Sequence, residues 1–136
     1  MGICKGREVL GRLSTAKRNK VVGNIFIDNA KPSAISDPDN TCDHNVYAAG
    51  DGSFDLAKWR QAHGWGRHSV VLPIEAELDR AKLTLRWNIN GRLSACPTIP
   101  SLTHGFFGQP RDADATLPGP ILNLRESGQL GINPVR

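Results

Sequence analysis

Apolar positions along this chain recur at strand spacing in most places and at helix spacing in one. Residues 19–29, NKVVGNIFIDN, form a run of Val, Ile and Phe punctuated by asparagines, with Gly23 as the bulge or turn. That pattern predicts a strand flanked by Asn turns. Residues 33–47, SAISDPDNTCDHNVY, repeat it more loosely: a short apolar patch, the turn-rich DPDN, then Asn45 leading into Val46 and Tyr47. Asparagine tolerates left-handed backbone and bonds its neighbours, so stacked turns of a solenoid often place one at each bend; a hairpin with Asn in its turns has the same pattern.

Residues 54–70, FDLAKWRQAHGWGRHSV, begin like a capped helix and end like a strand. Asp55 stands where an N-cap belongs, Phe54 and Trp59 take the N′ and N4 positions of a hydrophobic staple, and Gly64 offers C′. A helix over 56–63 follows, with Leu56, Trp59 and Ala62 as its inner stripe and Lys58, Arg60 and Gln61 solvated. An isolated helix needs about 12–15 residues to persist in water, so this one must dock on a β surface. Extended structure resumes at SVVLP, 69–73. Residues 81–93, AKLTLRWNINGRL, alternate cleanly: Leu83, Leu85 and Trp87 share one face, and Lys82, Thr84 and Arg86 the other. From Cys96 onward six of the nine prolines appear, among frequent glycines, which predicts an irregular closing segment that wraps the rest.

Composition bounds the rest. The 136 residues, 39% of them hydrophobic, fit one domain, 1–136, with β coils and the helix over 1–95 and the Pro/Gly-rich cover over 96–136. Seventeen Lys plus Arg against thirteen Asp plus Glu leave +4, too mild to imply nucleic acid by itself. The distribution is uneven: residues 1–31 hold seven basic side chains against Glu8 and Asp28, and residues 32–57 hold five aspartates and no Lys or Arg. No apolar run reaches the roughly 20 residues of a membrane span, and MGICKGREVL lacks the apolar core of a secretory signal, so no membrane partner and no address are expected. Gly6 stands where an acylation signal at Gly2 requires Ser or Thr. Cys4, Cys42 and Cys96 are odd in number and form no CxxC pair, which argues for ordinary thiols rather than a disulfide or zinc framework.

NKVVGNIFIDN, DHNVY, FDLAKWRQAHGWGRHSV, FFGQPR and PGP together resemble the last coils and tail of right-handed parallel β-helix proteins of the pectate-lyase-like superfamily. The resemblance spans residues 18–122. It implies a mainly β fold, a short right-handed parallel β-helix fragment with one inserted helix at 56–63 and an irregular C-terminal cover, and a secreted parent protein. A β-helix coil takes roughly 20–25 residues and at least three stacked repeats are needed, whereas about two fit before residue 53. The chain therefore resembles the end of something longer, whose open edge is expected to pair with another copy as a homo-oligomer.

Candidate chemistry is sparse. DPDNTCDHN clusters Asp37, Asp39, Asp43 and His44, and oxygen-rich clusters suit Ca²⁺, although the spacing is not that of an EF-hand and a solvated turn is the commoner explanation. No other cofactor is expected. His44, His63, His68 and His104 accompany no GxSxG elbow, and His68 reads as a packing residue. Lyases of the superfamily place their Lys or Arg base and Ca²⁺-binding acids on central coils that this chain lacks, so no catalytic residue is assigned. Trp65 is the candidate for stacking on sugar, with His44 and His68 as further candidate ligand-binding residues. The basic stretch 5–20 lacks the interleaved aromatics of a nucleic-acid surface and is expected to be solvated. The resemblance implies a non-catalytic terminal β-helix segment of a carbohydrate-active type of protein, with a structural or weakly polysaccharide-binding role. The alternatives are a cation-assisted polysaccharide lyase or hydrolase site between subunits, using Asp37, Asp39, Asp43 and His44, and, last, nucleic-acid binding through 5–20.

Overall fold

The computed structural model describes residues 7–9, 12–14, 17–27, 39–48, 54–122, 124 and 126–132. Strands β1 (Arg7–Val9) and β2 (Arg12–Ser14) form an antiparallel pair. Further along the chain lies a set of short parallel rungs. Strand β3 (Lys20–Val22) pairs with β5 (Thr41–Asp43), and β4 (Ile25–Phe26) pairs with β6 (Val46–Ala48), which pairs in turn with β7 (Val70–Leu72). Two asparagine pairs tie the rungs together at their bends. The Asn40 side-chain oxygen accepts from the backbone and side-chain N–H groups of Asn19, and Asn45 does the same for Asn24. The middle strand is buried on both faces, with Val46 1% and Tyr47 2% exposed, as a parallel strand covered on both sides should be.

Helix α1 (Leu56–His63) enters between β6 and β7. The Asp55 carboxylate accepts the Lys58 N–H, and Gly64, in the left-handed region at φ 70°, donates its N–H to the Arg60 carbonyl. Phe54 and Trp59 meet edge to face at 6.1 Å, the staple that the sequence predicts. Leu56 is buried and Trp59 packs toward Tyr47, but Ala62 is exposed, so the inner stripe is one turn shorter than expected. Arg60 is not simply solvated: its guanidinium donates to the carbonyls of Gly66 and Ser69, which brings the following loop back onto the helix.

After β7 the direction of pairing changes, and with it the expectation of a right-handed parallel β-helix fragment fails. Pro73 interrupts the strand, and β8 (Ile74–Asp79) and β9 (Thr84–Ile89) turn back on each other as an antiparallel hairpin. Its turn is held by the Asp79 carboxylate, which accepts from the Ala81 and Lys82 N–H groups, while Leu83 takes positive φ and is exposed. The alternating face therefore begins at Leu85, not Leu83. A further solenoid rung would require a parallel strand here. Instead, β12 (Ser127–Gly131) adds antiparallel to the other side of β9. Among the described residues the molecule is mainly β with one short helix, built of small sheets, some parallel and some antiparallel, and none of them forms a solenoid.

The closing segment is less irregular than its Pro/Gly content implies. Besides β12 it contributes β10 (Cys96–Pro97) and β11 (Ala115–Thr116), paired antiparallel. Gly128 is required in β12, because a side chain there would run into the Trp87 indole on the neighbouring strand. The main core, Val46, Ile74, Ile89 and Leu93, joins a parallel rung to the antiparallel hairpin. The thiols of Cys42 and Cys96 are both buried.

Candidate functional site

In-register parallel pairing places equivalent positions of successive rungs side by side. Val46 is opposite Val70, so His44 and His68, each two residues earlier, are neighbours although 24 positions apart. Their rings stack at 4.6 Å, close to the spacing of adjacent strands, with planes 13° apart. His44 holds a left-handed turn, φ 53°, between β5 and β6.

Asp43 connects the two histidines. Its Oδ1 accepts the backbone N–H groups of His44 (2.8 Å) and His68 (2.7 Å), leaving Oδ2 directed at the imidazoles, 2.8 Å from His68 Nδ1 and 3.9 Å from His44 Nε2. Burial raises the pKa of this carboxyl, but the His68 ring, the two backbone donors and the charge of His44 outweigh it and hold Asp43 below the ordinary aspartate value. One donor atom from each of the three residues lies within 4.8 Å of the others. The side chains of Asp43 and His44 are largely covered, 20% and 23% exposed, and that of His68 is open at 58%.

The loop carrying His68 is fixed from three directions. Gly66 donates its N–H to the Cys42 carbonyl at 2.7 Å, Arg60 bonds the carbonyls of Gly66 and Ser69, and Ser69 Oγ accepts the Asn45 N–H at 3.0 Å. Gly66 lies so close to Trp59 that an added Cβ would sit 2.9 Å from Cζ3, so the loop needs glycine here. Asn45, fully buried, donates to the Val21 carbonyl and accepts from Asn24. Beneath it the Cys42 thiol and Tyr47 hydroxyl touch at 3.7 Å, and burial pushes both pKa values up.

The arrangement offers three donor atoms to an ion, and neither the hydroxyl of Ser69 nor the thiol of Cys42 beside it is placed as a nucleophile. Ser69 Oγ is sealed in the Asn45 bond, and the Cys42 thiol is buried and kept protonated. Of the aspartates expected around a cation, only Asp43 is in the cluster. Asp39 is exposed and 4.0 Å from Lys17, and Asp37 lies outside the described residues. Trp65 is apart from the site and half-buried, with one face against the His63 ring, stacked at 5.3 Å, and Trp59 tilted beside it at 5.9 Å. The partnership of His68 with Asp43 and His44 escapes a reading of local motifs. Its signal is the repeat of HNV at 44–46 and HSV at 68–70, a His, a small polar residue and a valine at the same rung position.

The chain matches no protein-family model, no curated protein and no solved structure, so nothing identifies it with the pectate-lyase-like proteins. Among the described residues no helix is long and apolar enough to cross a membrane.

Proposed function

We propose that this protein binds a divalent transition-metal ion through Asp43, His44 and His68. The observation that carries the reading is the convergence of two imidazoles on one carboxylate that is already oriented by two backbone N–H groups. Two nitrogens and one oxygen suit Zn²⁺, Co²⁺, Ni²⁺ or Cu²⁺, whereas Ca²⁺ takes six to eight oxygens. Ligand bonds of about 2.0–2.2 Å in tetrahedral geometry set neighbouring donor atoms roughly 3.3 Å apart, inside the span seen here. The stacked rings must tilt to share an ion. His68, the most exposed of the three, is free to turn, at the cost of its bond to Asp43. The Asp43 bonds to backbone act as the outer support that metal sites normally require.

Titration of the purified, metal-free chain with Co²⁺ and Zn²⁺, read by visible absorption and calorimetry, tests this. One equivalent should bind, a d–d band should appear with Co²⁺, and His44→Ala or His68→Ala should weaken binding by about 100-fold or more. Affinity should fall in acid, because protons compete with the ion for its ligand atoms. Equal binding by wild type and both histidine variants would refute the reading. The polysaccharide role drew on the solenoid resemblance and on Trp65, one face of whose ring is taken by His63.

A further inference from the structure

A second site stands apart from the histidine cluster and shares no residue with it. A groove of about 560 Å³ separates the β3–β4 segment from the closing loops, within the roughly 300–1,000 Å³ usual for small-molecule sites. Its apolar wall is Ile99, Leu102 and Phe106, which are 38%, 45% and 50% exposed and account for three of the six most exposed large hydrophobic side chains among the described residues. Apolar groups of that size left open to water and gathered in one groove mark a binding surface better than the same groups scattered.

The charged groups in the groove have one sign. Lys20, His104 and Arg111 line it, and among the described residues no Asp or Glu does. Arg111 is held in place: Nε donates to the His104 carbonyl, Nη1 to Thr116 Oγ1 and Nη2 to the Gly119 carbonyl. A guanidinium has five N–H groups, so these three bonds leave two, one on each terminal nitrogen, to offer to an anion. Because its neighbours already fix it, binding requires little further ordering.

We propose that this groove binds a small amphipathic anion, a single carboxylate on an apolar body, with Lys20 and Arg111 receiving the carboxylate and Ile99, Leu102 and Phe106 the body. The charge complementarity excludes a neutral apolar ligand of the same shape as an equal occupant.

The test uses the full chain and anilinonaphthalene sulfonate as a fluorescent probe, displaced by decanoate or by decan-1-ol. Saturable one-to-one binding is expected, displaced by decanoate and far less by the alcohol, and weakened by added salt. Lys20→Glu, which removes one charge-assisted contact and sets a carboxylate against that of the ligand, should weaken decanoate by about tenfold or more. Phe106→Ala combined with Leu102→Ser should weaken both probe and decanoate. All three positions are exposed, so circular dichroism and melting temperature should remain those of the wild type. Arg111→Lys, which keeps the charge and loses the fork, gives a second reading at the anion end. Equal displacement by decanoate and the alcohol, or unchanged binding in Lys20→Glu and in the double variant, would overturn the proposal. So would light scattering that shows a dimer dissociated by those variants and indifferent to decanoate, because a second copy would then be the occupant. Binding to anionic vesicles without binding to decanoate would overturn it equally.

Discussion

Asn45 is the residue on which the candidate metal site depends most without belonging to it. Its side chain bonds Val21 and Asn24 on one rung, and its backbone N–H reaches Ser69 on the next. Asn45→Ala empties a fully buried position and removes the side-chain bonds to Val21 and Asn24, and chemical denaturation should show a loss of about 1–3 kcal/mol in all. Tyr47, two positions further on, sets an alkaline limit. Burial raises its folded pKa well above the ordinary tyrosine value, so its contribution is complete below about pH 10 and is lost as pH climbs from there toward the folded value. Tyr47→Phe should flatten the fall in stability above pH 10 in a pH series of thermal melts. At this scale the sequence was partly legible. Asparagines at bends are a local signal and stand where expected, whereas the bond between His68 and Asp43 spans 25 positions and follows only from the register of the rungs.

The helix is the element that the sequence specified most fully, because its caps and staple lie within ten residues of one another. Asp55→Ala should cost about 1 kcal/mol, seen as a lower melting temperature, with the aromatic packing of Phe54 on Trp59 retained. Which side of the helix faces inward was less clear: Ala62 is exposed and Arg60 is recruited by the carbonyls of the next loop, contacts that depend on where residues 64–69 run. Strand β12 was not legible at all. SGQLG has the composition of a loop, and its pairing makes sense only beside Trp87, whose ring occupies the space that Gly128 leaves free.

For the whole molecule, local resemblance pointed to a solenoid and long-range pairing decided otherwise. Short strands with Asn at their bends are what any few parallel rungs need, and residues 19–72 supply them. Whether rungs continue depends on the next strand, and here a polar turn at 79–83 sends β9 back along β8, so antiparallel sheet takes over. The core that results is shared: Val46 from the rungs packs with Ile74 and Ile89 from the hairpin. That shared core determines how the two halves come apart, and the chain carries a chemical clock for each. Cys42 is sealed within the rungs and Cys96 where the closing segment lies on them, its thiol between the Thr116 carbonyl and Gly23, each 4% exposed. In a Cys4→Ser background, alkylation of either thiol must wait for its surroundings to open. If the common core makes the halves one cooperative unit, both sulfurs should be modified with the same time constant. A faster Cys96 would mean instead that the closing segment lifts away while the histidine rungs stay shut.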